Sequence, residues 1–186
     1  MTVNLSQLSE DEILNLSRGG NDRAYGELYK RYLDEIYRYL YYRVAANSQN
    51  AEDLTQEVFI KAWNVISTSK NGNNNNNFRA LVYKIAHNLS VDRWRKRKNE
   101  QPFQEDDLGV NSADLNTPEK WLMNRERNEE LAVAVRELDP QLQNVFICRF
   151  INGLSHAETA QSLGLNEGHV RVLQHRALKK IRITLE

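Results

Sequence analysis

The chain has 186 residues, 25 Lys and Arg against 25 Asp and Glu, and one cysteine, Cys148. A single thiol excludes an intrachain disulfide and suits a reducing cytoplasm. No apolar run is long enough to cross a bilayer as a helix, and the acidic, polar stretch Met1 to Asp11 is unlike a signal peptide.

The length accommodates one domain or two small ones. Three prolines, eight glycines and long stretches of helical periodicity predict an all-α protein. Ser9 and Glu12 have the spacing of a capping box, with Leu8 and Ile13 placed as a hydrophobic staple, so a first helix starts there. Gly19-Gly20 ends it. A second helix is expected from about Asp22 to Ala46, with apolar positions Tyr25, Leu28, Tyr29, Tyr32, Ile36, Tyr39 and Leu40. Seven of the eight tyrosines lie in this segment, which reads as a tyrosine-rich packing face. A third helix is expected after an Asn50 cap and to about Ile66. On it Leu54, Val58 and Ala62 fall inward. Asp53, Gln56, Glu57 and Lys61 fall outward, with Glu57 and Lys61 placed to pair at i,i+4. By its physics alone this is an ordinary amphipathic helix.

Ser67 to Asn77 is polar, asparagine-rich and free of apolar residues, hence a loop. Amides can hydrogen-bond an unpaired base, but most of the run has the character of a neutral insertion. A fourth helix is expected from Phe78 to Lys98. Phe78, Leu81, Val82, Ile85 and Leu89 form a stripe for the core. Tyr83, Lys84, His87, Trp94, Arg95 and Lys98 are expected opposite, with Asn88 on the rim. Residues 78 to 98 carry seven Lys and Arg against Asp92. Bases neutralise phosphates, aromatics stack on unpaired bases and an asparagine can read a base edge, so this face suits nucleic acid. A solvated basic face with Trp94 folded onto its neighbours is the alternative.

Residues 99 to 117, with Pro102 and Gly109, form an acidic linker too poor in apolar residues to pack by itself. Residues 99 to 130 carry nine acids against three bases, and residues 166 to 186 five Lys and Arg against two acids. The zero net charge therefore conceals two basic helices separated by an acidic connector, and local fields are what steer a polyanion.

Thr117-Pro118 opens the second half, a cap followed by proline at the first helical position. Its first helix runs to about Leu138. Asp139-Pro140 starts the next, which ends near Gly153. Ser155 and Glu158 form a second capping box, Ala160 is small where helices approach, and Gly164 stands where a turn needs positive φ. Leu163, Leu165, Val170 and Leu173 supply contacts between two helices, and Asn166 caps the second. This is the pattern of a helix-turn-helix, whose second helix fits the DNA major groove. That helix carries Arg171, His175, Arg176, Lys179, Lys180 and Arg182. Val170, Leu173, Ala177 and Ile181 form its inward stripe, and Arg171, Val172, His175, Lys179 and Arg182 face away. Arg171 is placed to hydrogen-bond a base and Val172 to meet a thymine methyl, while Lys179 and Arg182 lie further along, toward phosphate. An ordinary helical hairpin with a solvated basic face is the alternative.

There is no nucleophile elbow, phosphate loop or metal-ligand spacing. His169 and His175, six apart, do not share a helix face, and Cys148 has no neighbouring cysteine. No catalysis, cofactor, metal or small-molecule substrate is expected.

Residues Asn50 to Trp63 closely resemble the signature of bacterial RNA polymerase sigma factors, best the extracytoplasmic-function (ECF) subgroup. Phe78 to Arg93 resembles the family's next block, with Phe78, Ile85, Ala86, Asn88 and Asp92 at its spacing. Glu167 to Ala177 resembles its promoter-reading helix-turn-helix. The likeness runs from about residue 8 to 184. It implies two small helical domains joined by a flexible acidic linker: a region 2 bundle over 8–98, the linker over 99–117 and a region 4 domain over 118–186. It implies core RNA polymerase (β′ clamp helices and β flap), promoter DNA and an anti-sigma factor as partners, in the cytoplasm. Asp53, Gln56 and Glu57, with Lys61 beside them, would dock on polymerase. Arg79, Lys84, His87, Asn88, Asp92, Arg93, Trp94 and Arg95 would serve the −10 element. Glu167, Arg171, Val172, His175, Arg176 and Lys179 would serve the −35 element. Leu81 stands where the family often has tryptophan. The asparagine run stands where the family captures a flipped −10 base, which leaves the base identity open. A stand-alone helix-turn-helix regulator would show the same C-terminal motif but would not need the 51–63 block.

Overall fold

The structure is a computed structural model that describes residues 4–44, 47–68, 77–100 and 125–185, with side chains described except at 94, 96–100 and 125–127. Among these residues the regular elements are helical. They are α1 (Glu10–Arg18), α2 (Asp22–Arg43), α3 (Ser48–Thr68), α4 (Phe78–Glu100), α5 (Arg125–Arg136), α6 (Pro140–Phe146), α7 (His156–Leu163) and α8 (Glu167–Leu185). A 3-10 turn (Leu5–Gln7) precedes α1, and α6 runs on into a π-helical segment (Ile147–Ile151).

Local chemistry sets most boundaries. Ser9 Oγ accepts from the Glu12 amide at 3.3 Å while Glu12 accepts from the Ser9 amide at 2.8 Å, the reciprocal capping box expected there. Asn21 caps α2 through the Ala24 amide at 3.1 Å. The expected Asn50 cap is wrong by one turn. Asn47 Oδ1 accepts from the Asn50 amide at 2.8 Å and α3 begins at Ser48, so Asn50 is already helical. Ser67 and Thr68, expected in the loop, complete α3, and Asn77 caps α4 through the Ala80 amide at 2.8 Å. Asn99 and Glu100, expected in the linker, extend α4. The rest of the asparagine run, the linker beyond Glu100 and the Thr117-Pro118 start lie outside the described residues.

The first four helices share one core. Ile13, Leu28, Ile36, Leu40, Val58, Ala62, Phe78, Val82 and Ala86 have no exposed surface. Each buried side chain of Leu, Ile or Phe size contributes about 1.5–3 kcal/mol. The second unit packs α5, α6, α7 and α8 around Val135, Val145, Leu154, Val170, Leu173 and Ala177. Tyrosines 32, 37, 39, 41 and 42 are all buried, more than one helical stripe would bury. The reason is that α2 is covered on two sides, by α1, α3 and α4 and also by α5 and the π segment. Tyr42 donates to Asn128 of α5 at 3.3 Å, and the rings of Tyr39 and Tyr83 meet edge-on with centroids 5.2 Å apart.

Candidate nucleic-acid interface

α8 is presented as the sequence predicts. Asn166 Oδ1 accepts from the His169 amide at 2.8 Å and starts the helix. Gly164, at φ 66°, reverses the chain ahead of it, and the Leu165 amide closes the turn on the Ala160 carbonyl at 2.8 Å. Val170, Leu173, Ala177 and Ile181 are buried, which turns Glu167, Arg171, Val172, His175, Arg176 and Lys179 to solvent. Arg171 stays within 3.6 Å of Glu167, one turn back. Lys180 leaves the basic run to bond Asp139 at 2.8 Å, tying α8 to the start of α6. That hydrogen bond holds the Asp139 carboxyl below its ordinary range.

α4 has three faces, not two. Phe78, Val82, Ala86 and Leu89 enter the core. Lys84, Asn88, Asp92 and Arg95 form an exposed row with the i, i+4 and i, i+3 spacing of one helix face. Arg93 is exposed and donates to Asn50 Oδ1 at 2.6 Å, bridging α4 to α3. The third face corrects the sequence reading. Tyr83, expected outward, is fully buried, and His87 is partly buried, because the second unit packs over this side. Asn144 of α6 lies 3.2 Å from His87 Nδ1. Burial, and then the charge of Arg43, push the His87 pKa down, which favours the uncharged ring. Arg79 is only partly exposed and pairs with Glu35 at 3.2 Å and with Glu158 of α7. The side chains of Trp94 and Lys98 lie outside the described residues.

On α3, Asp53, Gln56, Glu57 and Lys61 are all exposed, and Glu57 and Lys61 pair at 2.9 Å. Beside them lies a feature the sequence reading missed. Tyr25, Tyr29, Gln56, Phe59, Ile60 and Trp63 line an apolar groove between α2 and α3, with Asp22 at its rim. Ile60 is 61% exposed there. Its signal was an isoleucine set off the Leu54–Val58–Ala62 stripe. Among the described residues no cluster of three or more His, Cys, Asp or Glu could hold a metal, and no helix is long and apolar enough to cross a membrane.

Comparison with known proteins fits this arrangement. The sequence model of Sigma-70 region 2 matches residues 28–100, and that of Sigma-70, region 4 matches residues 134–182. The ECF RNA polymerase sigma factor BldN of Streptomyces coelicolor is 36% identical over 91% of this chain, which spans 63% of that protein's length. The sigma factor SigE of Mycolicibacterium smegmatis is 32% identical over 86% of this chain, which spans 60% of it. The ECF sigma factor SigX of Bacillus subtilis is 30% identical over 86% of this chain and 82% of its own. Among solved structures, CnrH in complex with the cytosolic domain of CnrY has the same fold, with a TM-score of 0.69, 22% identity, and 95% and 96% of the two chains covered. Two helical units in the order region 2, region 4, with relatives of this similarity, place the chain in the sigma-70 family of RNA polymerase sigma factors, in its ECF group.

Proposed function

We propose that this chain binds core RNA polymerase and directs initiation at promoters it selects through −10 and −35 elements. The observation that carries the reading is the pairing of two surfaces in one chain. One is the exposed row Asp53, Gln56, Glu57 and Lys61 on α3; the other is the exposed basic face of α8. A stand-alone regulator needs only the second, and the region 2 match over residues 28–100 has no place in it.

The α3 row and its apolar groove dock on polymerase. Arg171 and Val172 read base edges in the −35 major groove, Arg176 and Lys179 hold phosphate, and the first turn from Glu167 sets the entry of α8. Lys84, Asn88, Asp92, Arg93 and Arg95 on α4, with Trp94, Arg79 and His87, serve the −10 strand. Region 2 spans 8–98 and region 4 spans 118–186, with the acidic stretch 99–117 between them. The chain works in the cytoplasm and performs no catalysis of its own. The sigma factor RpoE of Bartonella quintana is solved in complex with the anti-sigma factor NepR, so an anti-sigma partner is proposed here as well.

The test is transcription from fragmented genomic DNA by purified core polymerase with and without this protein, mapping new 5′ ends. Discrete starts sharing −35 and −10 motifs are expected. No new starts together with no pull-down of core polymerase would sink the reading.

A further inference from the structure

The core contacts of α4 stop before the helix does. Leu89 and Ser90 are buried, whereas Val91 is only partly covered and Asp92, Arg93 and Arg95 are exposed. A helical stretch without buried side chains draws little stability from packing, so it frays and bends more easily than the rest. Yet this stretch carries Asp92 and Arg95, half of the exposed row that α4 offers to the −10 strand.

Arg93 ties the stretch down. Its Nη2 donates to Asn50 Oδ1 at 2.6 Å, a short, charge-assisted hydrogen bond. Asn50 is free to accept because Asn47 caps α3. Asn50 also has a place in a pattern. It shares one stripe of α3 with Asp53 and Glu57, at i, i+3 and i+7. Those two belong to the polymerase-docking row. Arg93 therefore joins the thinly supported end of the −10 helix to the head of the docking stripe.

The bond is poorly placed to stabilise the bundle. It is exposed, so water competes for both partners. It also sets a cation beside the first turn of α3, the positive end of that helix, where no acidic residue stands. Its effect is on geometry: it fixes where one helix end lies against another.

We propose that Arg93 is a positioning residue, which through Asn50 holds the end of the −10 helix against the docking helix. Seating α3 on polymerase then also places Asp92 and Arg95 for the unpaired strand. This role rests on the promoter-recognition reading and specifies one part of it: Arg93 serves the strand through Asn50, not by a contact of its own.

The test uses the full chain. Asn50→Ala removes the acceptor and leaves the Arg93 charge in place, and alanine is the better helix former, so α3 keeps its stability. Arg93→Ala removes the donor, the double variant removes both, and Asn50→Asp keeps an acceptor. Hydrogen exchange of the free chain is read at the peptide covering 91–100. Exchange is expected about threefold faster in each alanine variant, no faster in the double, and unchanged in Asn50→Asp. With core polymerase, promoter opening is read by permanganate at unpaired thymines, at the starts mapped for the wild type. Asn50→Ala is expected to bind core polymerase as tightly as the wild type and to open the promoter about fivefold more slowly. Wild-type exchange in Asn50→Ala overturns the proposal. So does normal opening in Asn50→Ala beside slow opening in Arg93→Ala, which would make Arg93 a direct strand contact. Weakened core binding in Asn50→Ala also overturns it, by making Asn50 a docking residue. If the wild type gives no starts while exchange follows the expected pattern, the sigma reading falls and the tie between α3 and α4 stands.

Discussion

Gly164 sits at φ 66°, and an added Cβ there would meet nothing within 4 Å. Gly164→Ala therefore isolates the backbone strain of a left-handed residue, expected to cost about 1 kcal/mol. Urea denaturation followed by circular dichroism measures it; no loss would mean the turn relaxes. Ser155→Ala removes the acceptor for the Glu158 amide at 3.2 Å. It should cost about 1 kcal/mol in the same assay. Both residues were legible in the sequence because caps and turns are decided within four positions. Tyr83 and His87 were not. Their surroundings come from Asn152, 69 positions away, and Asn144, 57 positions away. A helical wheel of α4 contains neither.

At the scale of elements, α8 was the most readable, since its buried stripe and its exposed bases are set by one period of 3.6. Its two ends predict different losses. Arg171→Ala should relax sequence preference at one base position and cost about 1–3 kcal/mol on the preferred duplex. Lys179→Ala should weaken every duplex alike and flatten the dependence of log affinity on log salt by about one unit. Fluorescence anisotropy on promoter and scrambled duplexes at several salt concentrations separates them, and identical profiles for the two variants would refute the division of roles. α3 was readable as a helix but not at its start, because two asparagines one turn apart can both cap. Asn47 takes that role, which leaves the Asn50 side chain for Arg93. α4 was half legible. Of its expected core stripe Phe78, Val82 and Leu89 are buried while Leu81 and Ile85 are only partly so, because two-sided amphipathicity does not describe a helix lying between a core, a second domain and solvent.

For the whole molecule, the order of the two regions was legible and their packing was not, because it joins tyrosines on a second side of α2 to residues that read individually as surface polars. That packing has a pH dependence. His87 has its pKa lowered from 6.5 by burial and by Arg43, with Asn144 opposite, so the unfolded chain binds more protons in this range. Stability from this group is present above pH 6.5 and is lost as pH falls through the lowered folded value. Glu35, raised by burial, acts in the opposite sense. Comparing the wild type with His87→Gln cancels it. The wild type should lose more Tm between pH 7.5 and 5.5 than His87→Gln does, by differential scanning calorimetry. Parallel curves would remove His87 from the account.

The unequal exposure of α8 and α4 also sets their access to a chemical probe. Arg171 and Arg176 of α8 stand open to a solution reagent, whereas Arg79 of α4 is held between Glu35 and Glu158. Arginine-directed labelling therefore marks Arg171 and Arg176 ahead of Arg79.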